Sequence, residues 1–491
     1  MNPLEAVAEL GGWGQAHQSW VLGGLVLLPL LGGAAALARG RRQDQTTHGS
    51  ARWATAGEIR KAGLYASSGV VLGKYQGRQL RHNGPEHILL CGPSRSGKGV
   101  STIIPTLLSW RESVIVLDPK DGENYDVTCA WRAQHSILYA FTPCRAPQTC
   151  INVLDTIRLG TPHEVGDATL IAQSLTAPAK LQGEGSTGIH FRELAALLLT
   201  AAILHVCYTS RRKSLAGVWQ FLTQQHGSLG EALEAMVTTA HQVTGVHTAI
   251  VSMTRAIQNI TGDRELGSVW STAIRPLVLY SDPLVAANTD RSDFPLETLQ
   301  YGKYPVSLYL IAPSPMALER LHPVYRVILD VCMTRLMERK VRTWQYRLLN
   351  CLDELPWYGY CRAVDKGIAV KAGYGQKDVL VAQDLDALLE VYGAHTAIFG
   401  NCHVKIWHAP DNDLTAKRIS ENLLGRSTVE ALGTSQSSGM MGRRSVSTHA
   451  VARPLLTTDE VMALPAEQEI VQVGGLKPIL ADKCDYRRRS W

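Results

Sequence analysis

Short apolar runs alternate with stretches of helical spacing along most of this chain. HILLC (87–91), SVIVLD (113–118), HSILYA (135–140), VSLYLIA (306–312), RLLNCLD (347–353), VLVAQ (379–383), HTAIFG (395–400) and VKIWHA (404–409) are each short and apolar on both faces. Strands buried on both sides of a mostly parallel sheet read this way. Helical patterns lie between several of them, as in PVYRVILDVCMTRLMERKV (323–341). The expected class is therefore α/β, with a sheet covered on both faces. Residues 160–285 differ. GDATLIAQSLTAP, HFRELAALLLTAAILHVCYTS and ELGSVWSTAIRPLVLY carry helical spacing with no clear strand between them, which predicts an all-α insertion. Residues 432–448, LGTSQSSGMMGRRSVST, are rich in Ser, Gly and Thr and are expected to form a flexible loop, before a strand at EIVQVGG.

The N-terminal pattern is different again. Residues 20–38, WVLGGLVLLPLLGGAAALA, carry no charge. As a helix they span roughly 28 Å, close to the thickness of a hydrocarbon core. Arg39, Arg41 and Arg42 follow, and no Lys or Arg precedes. The charge bias places the N-terminus outside and the long C-terminal part in the cytoplasm. A cleaved signal peptide would need a basic segment before the apolar run, and residues 1–19 have none. The expected division is a membrane anchor at 1–42 and a polar, Gly-rich juxtamembrane linker at 43–85. A nucleotide-binding domain follows in two pieces, 86–159 and 286–491, with the all-α domain at 160–285 between them.

Composition changes little in this picture. The 491 residues are 45% hydrophobic and 19% charged, enough for a sizeable core and for more than one domain. The formal charge of +6 permits an anionic partner without demanding one. None of the ten cysteines forms a C-x-x-C pair and most sit in apolar runs, as free thiols of a reducing compartment do. The sixteen histidines show no H-E-x-x-H spacing, and there is no G-x-S-x-G.

Two motifs carry chemistry. In HILLCGPSRSGKGVSTIIPTLL a strand leads into a glycine-rich loop and then a helix, the context in which backbone N–H groups and a helix N-terminus cradle phosphates. Gly92, Pro93, Ser94, Arg95, Ser96, Gly97, Lys98, Gly99 and Val100 make up the loop, with Lys98 set to reach β- and γ-phosphates. Gly99 stands where a Ser or Thr usually supplies a hydroxyl for magnesium. Pro105 must kink or shorten the helix. In RLLNCLDELP an apolar strand delivers Asp353, a candidate magnesium carboxylate, and Glu354, a candidate general base. Gln383 closes another strand and either senses a phosphate or makes a strand-end hydrogen bond. Asp118 and Lys120, after SVIVLD, line the same site or form a surface ion pair. GEGSTG (183–188) has no preceding strand, so it is not a dinucleotide-binding loop.

These stretches, with HGSARWATAGEIRKAGL (48–64), SVIVLDPKDGENYDVT, AQDLDALLEVYG and RPLLTTDEVMALPAEQEIVQVGGLKPI, resemble the TraG-like coupling proteins of type IV secretion, in the same order over about residues 48–486. The resemblance implies an inner-membrane, homo-hexameric P-loop ATPase with a RecA-like core, using ATP and Mg2+. It implies that the protein recruits a relaxase-bound DNA strand and drives single-stranded DNA into the secretion channel. By motif, Lys98 would bind phosphate, Asp353 would hold magnesium, Glu354 would be catalytic and Gln383 would sit at the site. Gly after the Lys is frequent in that family. Those proteins usually carry two membrane helices, and here one is clear. Export of protein effectors by the same ATPase, and a catalytically silent docking scaffold, are the alternatives.

Overall fold

The computed structural model describes residues 48–181, 185–224, 228–339, 343–436 and 444–488. The expected membrane anchor at 1–42 lies outside the described residues. The described residues divide into two compact units, one comprising Trp53–Thr415 with residues 462–488, the other Ala416–Val461 with residues 48–52.

In the larger unit the strands are β1 (Val70–Tyr75), β2 (Arg78–His82), β3 (Ile88–Cys91), β4 (Ser113–Asp118), β5 (Ile137–Phe141), β6 (Val306–Ile311) and β7 (Leu348–Leu352). β8 (Gln376–Ala382) and β9 (Val404–Trp407) follow. The smaller unit holds β10 (Arg426–Gln436) and β11 (Arg444–Pro454); β12 (Gln468–Val473) and β13 (Ile479–Asp482) return to the larger one. Eleven strands form one sheet in the order β2-β1-β13-β12-β9-β3-β8-β7-β4-β6-β5. From β9 to β5 every pairing is parallel, so the C-terminal ends of β3, β8, β7 and β4 lie along one edge. β4, β6, β7 and β8 are buried at every position, as strands covered on both faces must be. Ile88, Leu90, Val114, Val116, Leu349, Val379 and Ile406 form the core of one face, joined by Ile103 and Leu107 from the helix after the glycine-rich loop.

Between β5 and β6 the chain runs through helices from Glu164–Thr176 to Pro283–Asn288, with no strand among the described residues. Ser186–Thr209 is apolar and long enough to cross a membrane by length and composition. Its middle is instead buried against Glu164–Thr176, Thr248–Gln258 and Asp263–Leu277.

Four sequence expectations need correction. The stretch 43–85 is not a linker over its described part. Thr55 caps the helix Ala56–Lys61, and β1 and β2 extend the main sheet antiparallel through β13 and β12. HTAIFG is not a strand. Thr396 Oγ1 accepts the Ile398 N–H, and Ala397–Asn401 is a short helix, because a local cap outweighed the β-branched composition. Residues 432–436 and 444–448 are strand, not loop, and pair in register from Leu432↔Thr448 to Gln436↔Arg444. Thr and Val at alternate positions favour strands even in a Ser-rich context; residues 437–443 lie outside the described ones. Finally, 286–491 is not one continuous piece, since Ala416–Val461 belongs to the smaller unit.

Candidate nucleotide site

β3 ends at Cys91, and Gly92 donates its N–H to Ala382 O at the end of β8 (3.2 Å). A Cβ on Gly92 would lie 2.7 Å from His408 Cβ and 2.8 Å from Ser96 Oγ, so only glycine fits this start. Arg95 (φ +62°) and Gly97 (φ +91°) take left-handed backbone, folding the loop back towards its strand. Ser101 then donates to Gly97 O (2.8 Å) as the helix begins. Pro105 has no N–H to give, and the turn Gly99–Ile103 winds wide, with Ile104 N–H reaching back to Gly99 O. The α-helical part is short, Ile104–Leu107, with Pro105 in its first turn. Pro93, Ser94, Arg95, Ser96, Gly97, Lys98, Gly99 and Val100 all line a cavity of about 610 Å³.

Lys98 is folded over its own loop. Its Nζ donates to Gly92 O (2.6 Å) and Pro93 O (3.2 Å) and lies 3.3 Å from Glu354 Oε1. Asp353 and Glu354 follow β7, two strands from β3, and Glu354 has φ +49°. Asp353 also lines the cavity, and Asn124 Nδ2 lies 3.5 Å from its Oδ2. Burial, and then the Glu354 carboxylate beside it, pushes Asp353 up to about 7. Asp118 ends β4 fully buried; its Oδ2 accepts the Tyr125 N–H (2.9 Å), and burial pushes it up to about 6. Lys120 lines the cavity, which decides between its two sequence readings. Gln383 stands one residue beyond Ala382, partly exposed, and does not line the cavity.

Sequence reasoning missed the support beneath this loop. His408, directly after β9, places Nδ1 3.0 Å from Ser96 Oγ and Nε2 3.0 Å from Glu469 Oε2. Lys483, after β13, donates to Ser96 O (2.8 Å) and lines the cavity. His408 and Glu469 are both fully buried. The only signals for them were a histidine ending the apolar run VKIWHA and an acid inside EIVQV.

The site fits a hard cation through its oxygens. Asp118 Oδ1, Glu354 Oε2 and Ser101 Oγ are buried with no hydrogen-bond partner, and of the three Ser101 lines the cavity. Among the described residues no three His, Cys, Asp or Glu side chains make a metal site alone. A cation would therefore complete its shell with phosphate oxygens and water.

The model of the type IV secretory system conjugative DNA transfer family matches residues 52–490. The chain belongs to that family. It is 36% identical over 464 residues to a conjugal transfer protein TraG of Escherichia coli, covering 86% of this chain and 72% of that protein. It is 29% identical to VirD4 of Rhizobium rhizogenes over 464 residues, 90% of this chain and 66% of that one. Among solved structures it resembles the plasmid coupling protein TrwB, solved with ADP and Mg2+, at TM-score 0.65 and 15% identity, covering 90% of this chain and 96% of that one. At that identity the likeness is one of fold. Family membership makes this a TraG-like coupling protein of conjugative DNA transfer.

Proposed function

We propose that the chain is an ATP-driven motor that recruits a relaxase-bound strand and moves single-stranded DNA into the type IV secretion channel. The observation that carries the reading is the ion pair between Lys98 and Glu354. It joins the loop suited to phosphates to the acid suited to activating water, at one edge of a parallel sheet, where such folds bind ligands.

ATP is the substrate. Lys98 would leave its carbonyl and carboxylate partners for the β- and γ-phosphate oxygens. Glu354, released from the ion pair, would orient the attacking water and take its proton. Its second oxygen, buried and without a partner, supports that role. Asp353 and Asp118 would hold Mg2+, which when bound supplies positive charge to the phosphates. Residues 160–285 would form a domain that receives cargo. Residues 20–38 would anchor the protein in the inner membrane with its N-terminus outside, and six copies would form the ring.

The test is ATP turnover by the full chain in membranes, with and without single-stranded DNA, alongside transfer of a mobilisable plasmid. Lys98→Ala and Glu354→Gln are expected to abolish both activities. Turnover and transfer surviving in both variants would overturn the reading.

A further inference from the structure

A second cavity, of about 850 Å³, lies among the helices Glu164–Thr176, Asp263–Leu277 and Pro315–Met337 and shares no lining residue with the phosphate loop. Arg192, Arg275, Arg320, His322 and Arg326 line it, and among the described residues no Asp or Glu does. The contrast with a neighbouring cavity is informative. There Arg158 and Arg335 share ion pairs with Asp167 and Glu338, so these arginines have carboxylate partners in place.

Arg326 is the decisive residue. It is 2% exposed, and its guanidinium donates only to two backbone carbonyls, Pro178 O (3.2 Å) and Leu175 O (3.4 Å). Its Nε has no partner, and among the described residues it makes no ion pair. Asp330, one turn along the same helix, is engaged by Ser174 Oγ (2.6 Å) and the Ala363 N–H (2.8 Å). Burial holds the Arg326 guanidinium below its ordinary value, and Asp330 acts on it through its charge without bonding it; a buried guanidinium with no direct carboxylate bond is costly. His322 adds a second unsatisfied group, since its Nδ1 is buried without a partner. Burial, then the nearby Arg326, pushes His322 down to about 4, so at neutral pH it is an uncharged imidazole that can donate one N–H. Of the outer cations, Arg275 is exposed, and Arg320 is held at the rim by Asp282 (3.1 Å).

We propose that this cavity is a second anion site that binds the phosphates of a phosphate-bearing ligand through Arg326, Arg275 and His322. Planar guanidinium groups match phosphate oxygens in pairs, and the cavity's volume is of ligand size. The phosphates can come from a nucleic-acid strand or from free polyphosphate. The proposal does not depend on hydrolysis at the phosphate loop, so each can fail alone.

The test uses the full chain in detergent, carrying Lys98→Ala to weaken the phosphate loop. Tripolyphosphate binding is measured by calorimetry, and its competition with a fluorescent oligothymidylate by anisotropy. Tripolyphosphate is expected to bind, and Arg275→Glu, at an exposed position that leaves the fold intact, is expected to weaken it on the order of tenfold. Arg326→Gln should abolish binding, with circular dichroism reporting that the variant is folded. Displacement of the oligonucleotide by tripolyphosphate, lost in Arg275→Glu, identifies the strand as the source. Tripolyphosphate binding without displacement identifies a free-anion site. No tripolyphosphate binding, binding indifferent to Arg275→Glu, or preference for polyglutamate over both phosphate probes would overturn the proposal.

Discussion

Lys98 and Glu354 are each 6% exposed and 3.3 Å apart, so each is the buried counter-charge of the other. Truncating one strands its partner, at about 3–5 kcal/mol. Lys98→Ala should therefore lower the denaturation midpoint as well as turnover, and Glu354→Gln, which keeps the shape but removes the counter-charge, should lower it too. We expect Glu354→Gln to cut turnover by about 10²–10⁴-fold while nucleotide affinity, read by fluorescent ATP titration, stays within a few-fold. Asp353 gives a pH prediction. Its folded value, about 7, stands above the ordinary 3.8, so the folded state holds the proton longer than the unfolded one. That contribution falls as pH rises from about 4 to about 7 and is then constant. Asp353→Asn should remove this slope and stabilise the nucleotide-free protein at pH 8 by roughly 1–4 kcal/mol, measured by urea titration at pH 5 and pH 8. Gly99 has ordinary backbone, and a Cβ there would meet nothing within 4 Å. Gly99→Thr should therefore fold normally and keep or raise nucleotide affinity. Ser101 Oγ is buried, unpartnered and at the cavity. If Ser101→Ala loses turnover while Gly99→Thr restores it in the double variant, the hydroxyl has moved along the helix.

The phosphate loop is an element braced by others. Ser96 is held by His408 through its hydroxyl and by Lys483 through its carbonyl, and His408 rests on Glu469 of β12. Gly73 of β1 makes room for that carboxyl, since a Cβ there would lie 2.3 Å from Glu469 Oε1. The loop's shape is thus fixed by strands far along the chain. Glu469→Ala should weaken nucleotide binding more than it slows turnover at saturating ATP, and Glu469→Gln should recover most of the affinity. Steady-state KM and kcat separate the two effects. The element scale also shows what was legible. β4, β6 and β7 announced themselves because strands buried on both faces must be continuously apolar. β1 and β2 did not, because GKY and RQLRH are mostly polar, as strands at a sheet margin can be. HTAIFG misled because composition without the Thr396 cap reads as strand.

For the whole molecule, β10 and β11 pair with each other in an unbroken antiparallel register, with Ser50 bridging to Ser427 of β10, while eleven strands make the other sheet. Excising residues 432–448 and joining Ala431 to His449 through Asn-Gly preserves the remaining register. The shortened protein is expected to keep the calorimetric transition of the larger unit and its ATP turnover. Loss of either would show that the hairpin is integral to that unit's fold.

The sequence by itself determined the class of fold and the family resemblance. Burial on both faces forces apolar strands, and a phosphate cradle needs Gly92, Gly97 and Lys98 contiguous in one loop. Asp353 and Glu354 were legible for the same reason, as charged residues ending an apolar strand. Only the tertiary structure decided what lies across from them. Lys98 meets Glu354 from 256 positions away in the chain, and Ser96 meets His408 and Lys483 across strands that local pattern cannot pair. Long-range contacts of this kind depend on sheet order, and sheet order is set by the packing of the whole core rather than by any single run of residues.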